Sequence, residues 1–168
     1  MLKTFLALSF SLTTICIFAQ DTTYQERFEI EYQKRIQMEK INGRYIPKDL
    51  NDAIAQLDLL VDNVGKAKFK AQPEDIAVHK IHFSFGKWMI VNWGFYEGSR
   101  LSHFLKSKGI SYPDDMASAL MICYHRHLLK QPLEFEKLAT DFAEKRRKEV
   151  EARVKEGKIL ESKFIPKN

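Results

Sequence analysis

Apolar residues recur along most of this chain at spacings of three and four, the period of a helix with one buried face. The pattern is clearest after Asp49, which lies three residues before Asp52, a spacing typical of a helix N-terminal cap. The apolar face that follows consists of Leu50, Ala53, Ile54, Leu57, Leu60 and Val61. The sequence therefore predicts a helix that begins at Asp49 and buries one side.

Further helix starts are marked by a capping serine or by a proline followed by acidic residues. They are Pro73-Glu74-Asp75, Ser99 and Tyr112-Pro113-Asp114-Asp115. A long last helix is predicted over about 133–156. Because no repeat or linker interrupts the pattern, we expect an all-α fold, a single compact bundle of about five or six helices with short connections. For the run from Trp88 to Val91 a strand is an alternative, although no partner strand is apparent.

The chain divides into four segments by this pattern. Residues 1–20 predict a signal peptide, 21–44 an N-terminal helical arm, 45–156 the helical domain and 157–168 a flexible tail. The arm carries a narrow apolar stripe, and Asn42-Gly43 is predicted to end its helix, because both residues tolerate a left-handed backbone.

The N-terminus has the order of a secretion signal: Lys3, an apolar run from Phe5 to Phe18, then Ala19-Gln20. The run is shorter than the roughly twenty residues that a membrane span requires. We therefore expect cleavage near Ala19 or Gln20, no transmembrane span afterwards, and a mature chain in the periplasm or outside the cell. Acylation of Cys16 and an uncleaved anchor are the alternatives, and Ile15 disfavours the first.

Charge and cysteine content narrow the function classes. The chain has 27 basic and 22 acidic residues, a net charge of +5 that falls to +4 without Lys3. This small surplus does not indicate nucleic-acid binding, whereas weak contact with an anionic membrane stays open. After signal cleavage Cys123 is the remaining cysteine, so the mature chain has no internal disulfide. Its apolar surroundings predict a buried thiol.

No residue pattern indicates a metal or cofactor site. His79 and His82 share a helix face but lack a third ligand, and His125 and His127 would point about 200° apart on a helix. Phosphate loops, dinucleotide fingerprints and nucleophile elbows are absent from the sequence.

The most unusual segment runs from Gly86 to Arg100 and is rich in aromatic residues and glycine. Such a mixture can line a ligand or peptide groove. The candidate binding residues are Trp88, Asn92, Trp93, Tyr96 and Arg100, with Asp114, Asp115 and His125 as polar contacts. The alternative is that both tryptophans are core residues and the glycines shape a turn between helices.

Three functional hypotheses follow. The first is a non-catalytic binding or interaction module of the cell envelope, with an unknown envelope protein or small ligand as partner. The second is a hydrolase with Asp114, Asp115 and His125 as acid/base groups, although carboxylates after Pro113 also suit a helix cap. The third is a membrane-surface protein that uses the basic run Lys145-Arg146-Arg147-Lys148, which can equally be a solvated helix face.

Several motifs also resemble those of a known family. They are Asn92-Trp93-Gly94, the run from Gly109 to Met116 that contains Pro113-Asp114-Asp115, and Tyr124-His125-Arg126-His127. Together they resemble an uncharacterised bacterial family described as a domain of unknown function, over roughly Tyr45 to Leu129. The resemblance implies a helical, often exported domain and brings no activity or site residue.

Overall fold

The computed structural model describes residues 23–163, with side chains through residue 157. The predicted signal peptide lies outside the described residues, so it stays a prediction.

Helices dominate the described part of the chain, and the all-α prediction is confirmed. Helix α1 spans 23–35, and the short strands β1 (Lys40–Ile41) and β2 (Arg44–Tyr45) pair antiparallel. The following helices are α2 (Leu50–Leu60), α3 (Asn63–Lys70), α4 (Glu74–Ile81), α5 (Lys87–Asn92), α6 (Arg100–Ser107), α7 (Pro113–Leu128) and α8 (Phe135–Lys163), with a π-helical turn at His82–Gly86 between α4 and α5.

Local capping residues start the helices where the sequence predicts. The Asp49 side chain accepts a hydrogen bond from the Asp52 backbone N–H at 2.9 Å and caps α2. Ser99 and Ser102 bond each other's backbone N–H groups in a reciprocal capping box at α6. The Asp49 and Ser99 caps satisfy N–H groups that every helix start leaves free. At the other end of α6, Gly109 follows the helix with φ of 96°.

One predicted local structure is wrong, and one alternative is excluded. Asn42-Gly43 does not end a helix, because α1 stops at residue 35. Instead both residues have positive φ, 50° and 76°, and connect β1 to β2, as a tight hairpin turn requires. The run from Trp88 to Val91 is part of α5 and not a strand. The same left-handed preference serves a helix end and a hairpin, so sequence alone did not separate them.

Helix α7 is the centre of the bundle. It contacts α2, α3, α4, α5, α6 and α8. Its buried residues are Asp115, Met116, Ala117, Ala119, Leu120, Met121, Cys123, Tyr124 and His125. The alanines let neighbouring helices approach, and the larger side chains fill the space between them.

The two terminal helices differ from the prediction in their extent. The C-terminal part of α1 docks on the domain, where Arg35 Nε donates to the Gly98 carbonyl at 2.9 Å and Tyr32 Oη lies 3.1 Å from His103 Nδ1. At the other end, α8 continues past the predicted limit near Glu156 to Lys163.

Candidate functional site

The two tryptophans of the predicted groove belong to the interior packing. Trp93 is 2% exposed and packs edge-on against the half-buried Trp88, with 5.9 Å between ring centroids. Trp88 also stacks on Phe85 at 5.8 Å, and the Arg44 guanidinium lies 5.7 Å from its ring. Because these contacts cover the rings, they do not form an open aromatic groove.

The polar residues of the same segment point to different places. Asn92 Nδ2 donates to the Trp88 carbonyl at 2.8 Å, a contact within the last turn of α5. Arg100 Nε donates to the Ile46 carbonyl at 2.6 Å, and its guanidinium lies 5.0 Å from the Tyr45 ring. Arg100 therefore fixes the segment that follows the hairpin.

Two of the eight predicted residues share a cleft. Tyr96, which is 63% exposed, and Asp114 line a cavity of about 230 Å³ beside the π-helical turn. The cavity is small, and it takes up neither tryptophan.

The carboxylates and histidine of the hydrolase hypothesis do not converge. Buried Asp115 accepts two hydrogen bonds from Arg146, whereas Asp114 is exposed. His125 is buried and its Nε2–H donates to the Gln72 carbonyl at 3.0 Å. Since His125 follows Asp115 by ten positions on α7, the two residues lie about 15 Å apart along the helix axis. No shared acid/base cleft is formed by these residues.

Acidic neighbours neutralise most of the basic run on α8. Arg146 pairs with Asp115 and Glu149, Arg147 with Glu151 at 2.9 Å, and Lys148 with Glu144 at 2.8 Å. The hydrogen bond from Lys148 lowers the pKa of the Glu144 carboxyl. Lys145 is the member of the run without a carboxylate partner among the described side chains. The run therefore offers little net charge to an anionic membrane.

A larger cavity lies elsewhere, at residues that the sequence pattern did not single out. An apolar groove of about 730 Å³ opens between α3 and α4, with Met121 and Tyr124 of α7 contributing to its lining. Its other apolar side chains are Leu60, Val61, Phe69, Ala71, Ala77, Ile81 and Phe85. Phe69 is the one large aromatic residue of the lysine-rich α3, and this isolated ring is the signal that could have revealed the groove.

The polar groups around this apolar groove are unbalanced in charge. Lys68 and Lys80 both contribute to the lining, together with the single carboxylate Asp62. Asp62 caps α3 through a 2.6 Å bond from the Gly65 N–H. Lys80 Nζ donates to Gln72 Oε1 at 2.9 Å, and neither lysine has a carboxylate partner within the described side chains. The rim therefore presents two ammonium groups above apolar walls.

A second hollow lies on the far side of Tyr124. The Asp58 carboxylate accepts hydrogen bonds from Tyr124 Oη and His127 Nε2, both at 3.1 Å, and Lys66 Nζ lies 3.3 Å away. Burial alone would raise the pKa of Asp58, but the three donors outweigh it, so the pKa is lowered. The Asp58 hollow, about 540 Å³, is lined by Asn51, Ile54, Ala55, Asp58, His127, Lys130, Gln131 and Leu133.

No group of three or more histidine, cysteine or acidic side chains among the described residues could hold a metal ion. None of their helices is both long and apolar enough to cross a membrane.

Fold and site together define a helical domain with an apolar, lysine-rimmed groove. The family model described as Domain of unknown function (DUF6794) matches residues 46–128, close to the segment that carries the motif resemblance. The match confirms the expected likeness to an uncharacterised domain family over this segment of the chain. No curated protein and no solved structure matches the chain significantly.

Proposed function

We propose that this protein is a non-catalytic binding module that holds a small amphipathic anion, with an apolar body and one acid group, in the apolar groove. The observation that carries the proposal is the pairing of an apolar groove of about 730 Å³ with two rim lysines that lack carboxylate partners among the described side chains. Cavities of this size are typical for small-molecule ligands.

The apolar walls supply most of the binding free energy. A ligand that buries about 200 Å² of apolar surface gains on the order of 5 kcal/mol, before the entropic cost of association. Phe69, Phe85 and Ile81 are only partly buried in the free domain. A ligand would cover the exposed part of these side chains.

The lysines supply selectivity for charge. Lys68 is on α3 and Lys80 is on α4, and the proposal places the acid group of the ligand at the opening between these two helices. Long lysine side chains can move to meet a head group, whereas their stems cover the apolar edge. The Asp62 carboxylate is engaged as the cap of α3, where it accepts the Gly65 N–H.

The place of action is part of the proposal. The signal-like residues 1–20 support export to the periplasm or beyond, where the ligand would be met. N-terminal sequencing of the protein purified from cell envelopes tests this step. A chain that begins near Asp21 supports export, and a chain that still begins at Met1 contradicts cleavage.

Two related dyes test the groove. 1-Anilinonaphthalene-8-sulfonate carries a charge, and N-phenyl-1-naphthylamine is its neutral counterpart; both fluoresce in apolar sites. Ala71→Trp should fill the groove and lower the affinity for both dyes. The control Ala67→Trp adds the same ring at an exposed position of α3 that does not line the groove. Equal binding of both dyes by the two variants would contradict the proposed site.

Charge selection is tested separately. The double variant Lys68→Glu with Lys80→Glu should lower the affinity for the anionic dye by tenfold or more, about 1.4 kcal/mol. Its affinity for the neutral dye should be unchanged. Lys70→Glu, an exposed charge reversal on α3 outside the groove, is the control. Competition by dodecanoate should displace the anionic dye from the unmodified protein. Equal affinity for the neutral and the anionic dye, in the unmodified protein and in every variant, would show that the groove does not select anions.

A further inference from the structure

The Asp58 hollow is a separate cavity with its own polar chemistry. It lies between α2 and the C-terminal end of α7 and shares no lining residue with the apolar groove. Two basic side chains and two amides contribute to its lining: His127, Lys130, Asn51 and Gln131.

The backbone at Lys130 has an unusual conformation. Lys130 has a positive φ of 56°, a region that L-residues seldom adopt. Its N–H donates to the His127 carbonyl at 3.0 Å, and the Gln131 N–H donates to the Arg126 carbonyl at 2.9 Å. This is the motif that closes a helix with a left-handed residue, where glycine is the usual choice. The chain instead has a lysine there, and that lysine lines the hollow.

Asp58 fixes the orientation of the imidazole. A carboxylate only accepts hydrogen bonds, so the proton between Asp58 Oδ2 and His127 lies on Nε2. Nδ1 is then the ring nitrogen left to contact a ligand, and it can donate to an anion when the ring is protonated, since both nitrogens of an imidazolium carry N–H groups. The ring also stacks on Tyr124, with centroids 6.2 Å apart, which further limits its rotation.

The hollow has a surplus of positive groups. Asp58 is its one carboxylate, and Lys66, Tyr124 and His127 already occupy the oxygens of that carboxylate. Lys130 has no carboxylate partner among the described side chains. An acidic ligand would therefore meet an ammonium group and hydrogen-bond donors, and a carboxylate whose charge is largely balanced.

We propose that the Asp58 hollow binds a small oxyanion, with Lys130 and the fixed His127 ring as its main contacts and Asn51 and Gln131 as additional donors. Carboxylate and phosphate groups share the required chemistry of negative oxygen acceptors. The strained backbone at Lys130 is then retained because the lysine side chain serves the ligand.

NMR of the histidine ring signals tests the site directly. The purified chain is titrated with inorganic phosphate and, separately, with acetate, against sodium chloride at equal ionic strength. The expected result is a saturable shift of the His127 signals with phosphate, acetate or both, and no comparable shift at exposed His79. The anion that saturates identifies the preferred head group.

A glycine variant separates binding from folding. Lys130→Gly removes the ammonium group and relieves the left-handed strain, so it should weaken anion binding about tenfold and raise the unfolding temperature. Glu134→Gly relieves the strain at a second left-handed residue, with φ of 50°, which lies outside the hollow. This variant should retain the anion-induced shift of the His127 signals. The Lys68→Glu, Lys80→Glu double variant should retain this shift as well. Loss of binding at the apolar groove is therefore distinguishable from loss of binding at the Asp58 hollow. Unsaturable shifts, or equal affinity in Lys130→Gly, would overturn the proposal.

Discussion

Arg146 on α8 binds Asp115 near the start of α7 through two parallel hydrogen bonds. Nε donates to Oδ2 at 2.5 Å and Nη2 to Oδ1 at 2.8 Å. The hydrogen bond with Asp115 raises the pKa of the Arg146 guanidinium further above its ordinary range. The guanidinium also lies 4.5 Å from the Tyr112 ring, so one side chain ties the entry of α7 to α8.

Loss of Arg146 should be costly because Asp115 would stay buried without a counter-charge. Arg146→Gln should lower the free energy of unfolding by about 3 kcal/mol, measured by urea denaturation. Arg147→Gln is a matched control one residue away, because its pair with Glu151 is exposed and should contribute less than about 1 kcal/mol. Equal losses in the two variants would show that the Asp115 pair has no special role.

The docking of α1 requires a residue without a side chain at position 98, where the chain has glycine. Gly98 has φ of 95°, and a Cβ at this position would overlap the Tyr32 ring. Gly98→Ala should therefore release α1, seen as faster proteolysis within 23–35. Gly43→Ala also places alanine at a positive φ, but nothing lies within 4 Å of its Cβ, so it should cost about 1 kcal/mol and leave α1 docked. Protection of α1 in Gly98→Ala would contradict this account of the docking.

The fold was predictable because its helix boundaries depend on neighbouring residues. Asp49, Ser99 and Pro113 act within one turn of their own helices, so short-range sequence was sufficient to identify them. The hairpin at Asn42-Gly43 was not identified, since the turn needs both strands to be recognised and each has two residues.

The residues of the predicted groove are not brought together, and the π-helical turn before α5 is one reason. A π-helical turn holds more residues than an α-helical turn, so the faces of α5 are rotated relative to those expected from a continuous helix. Trp93 is buried and Tyr96 is exposed, although composition makes both suitable for a groove. The observed apolar groove combines the consecutive helices α3 and α4 with α7, which lies much further along the chain, so the isolated Phe69 ring is the one local signal of it.

Cys123 provides a test of core packing that does not depend on any ligand. Burial raises the pKa of its thiol to about 12, and the residue is fully buried. At pH 8 the native protein should therefore not react with a thiol reagent such as dithionitrobenzoate, whereas the urea-unfolded chain should react with one equivalent in its mature form. Rapid labelling of the native protein would indicate that the centre of α7 opens often or is less well packed than described.

The Asp58 cluster should make stability depend on pH in a defined direction. Because the pKa of Asp58 is lowered in the folded protein, the unfolded state takes up the proton first on acidification. The stabilisation is therefore fully present above the ordinary aspartate pKa, near pH 4, and is lost as the pH falls through the lower folded value. Urea denaturation from pH 7 downward should show wild type more stable than Asp58→Asn, with a difference that shrinks below about pH 4. The control is Asp141→Asn, because Asp141 is exposed and has no ion pair among the described side chains. This variant should change the free energy of unfolding little at any pH of the series. A difference for Asp58→Asn that persists unchanged into acid would mean that the hydrogen bonds from Tyr124 and His127 do not depend on the carboxylate charge.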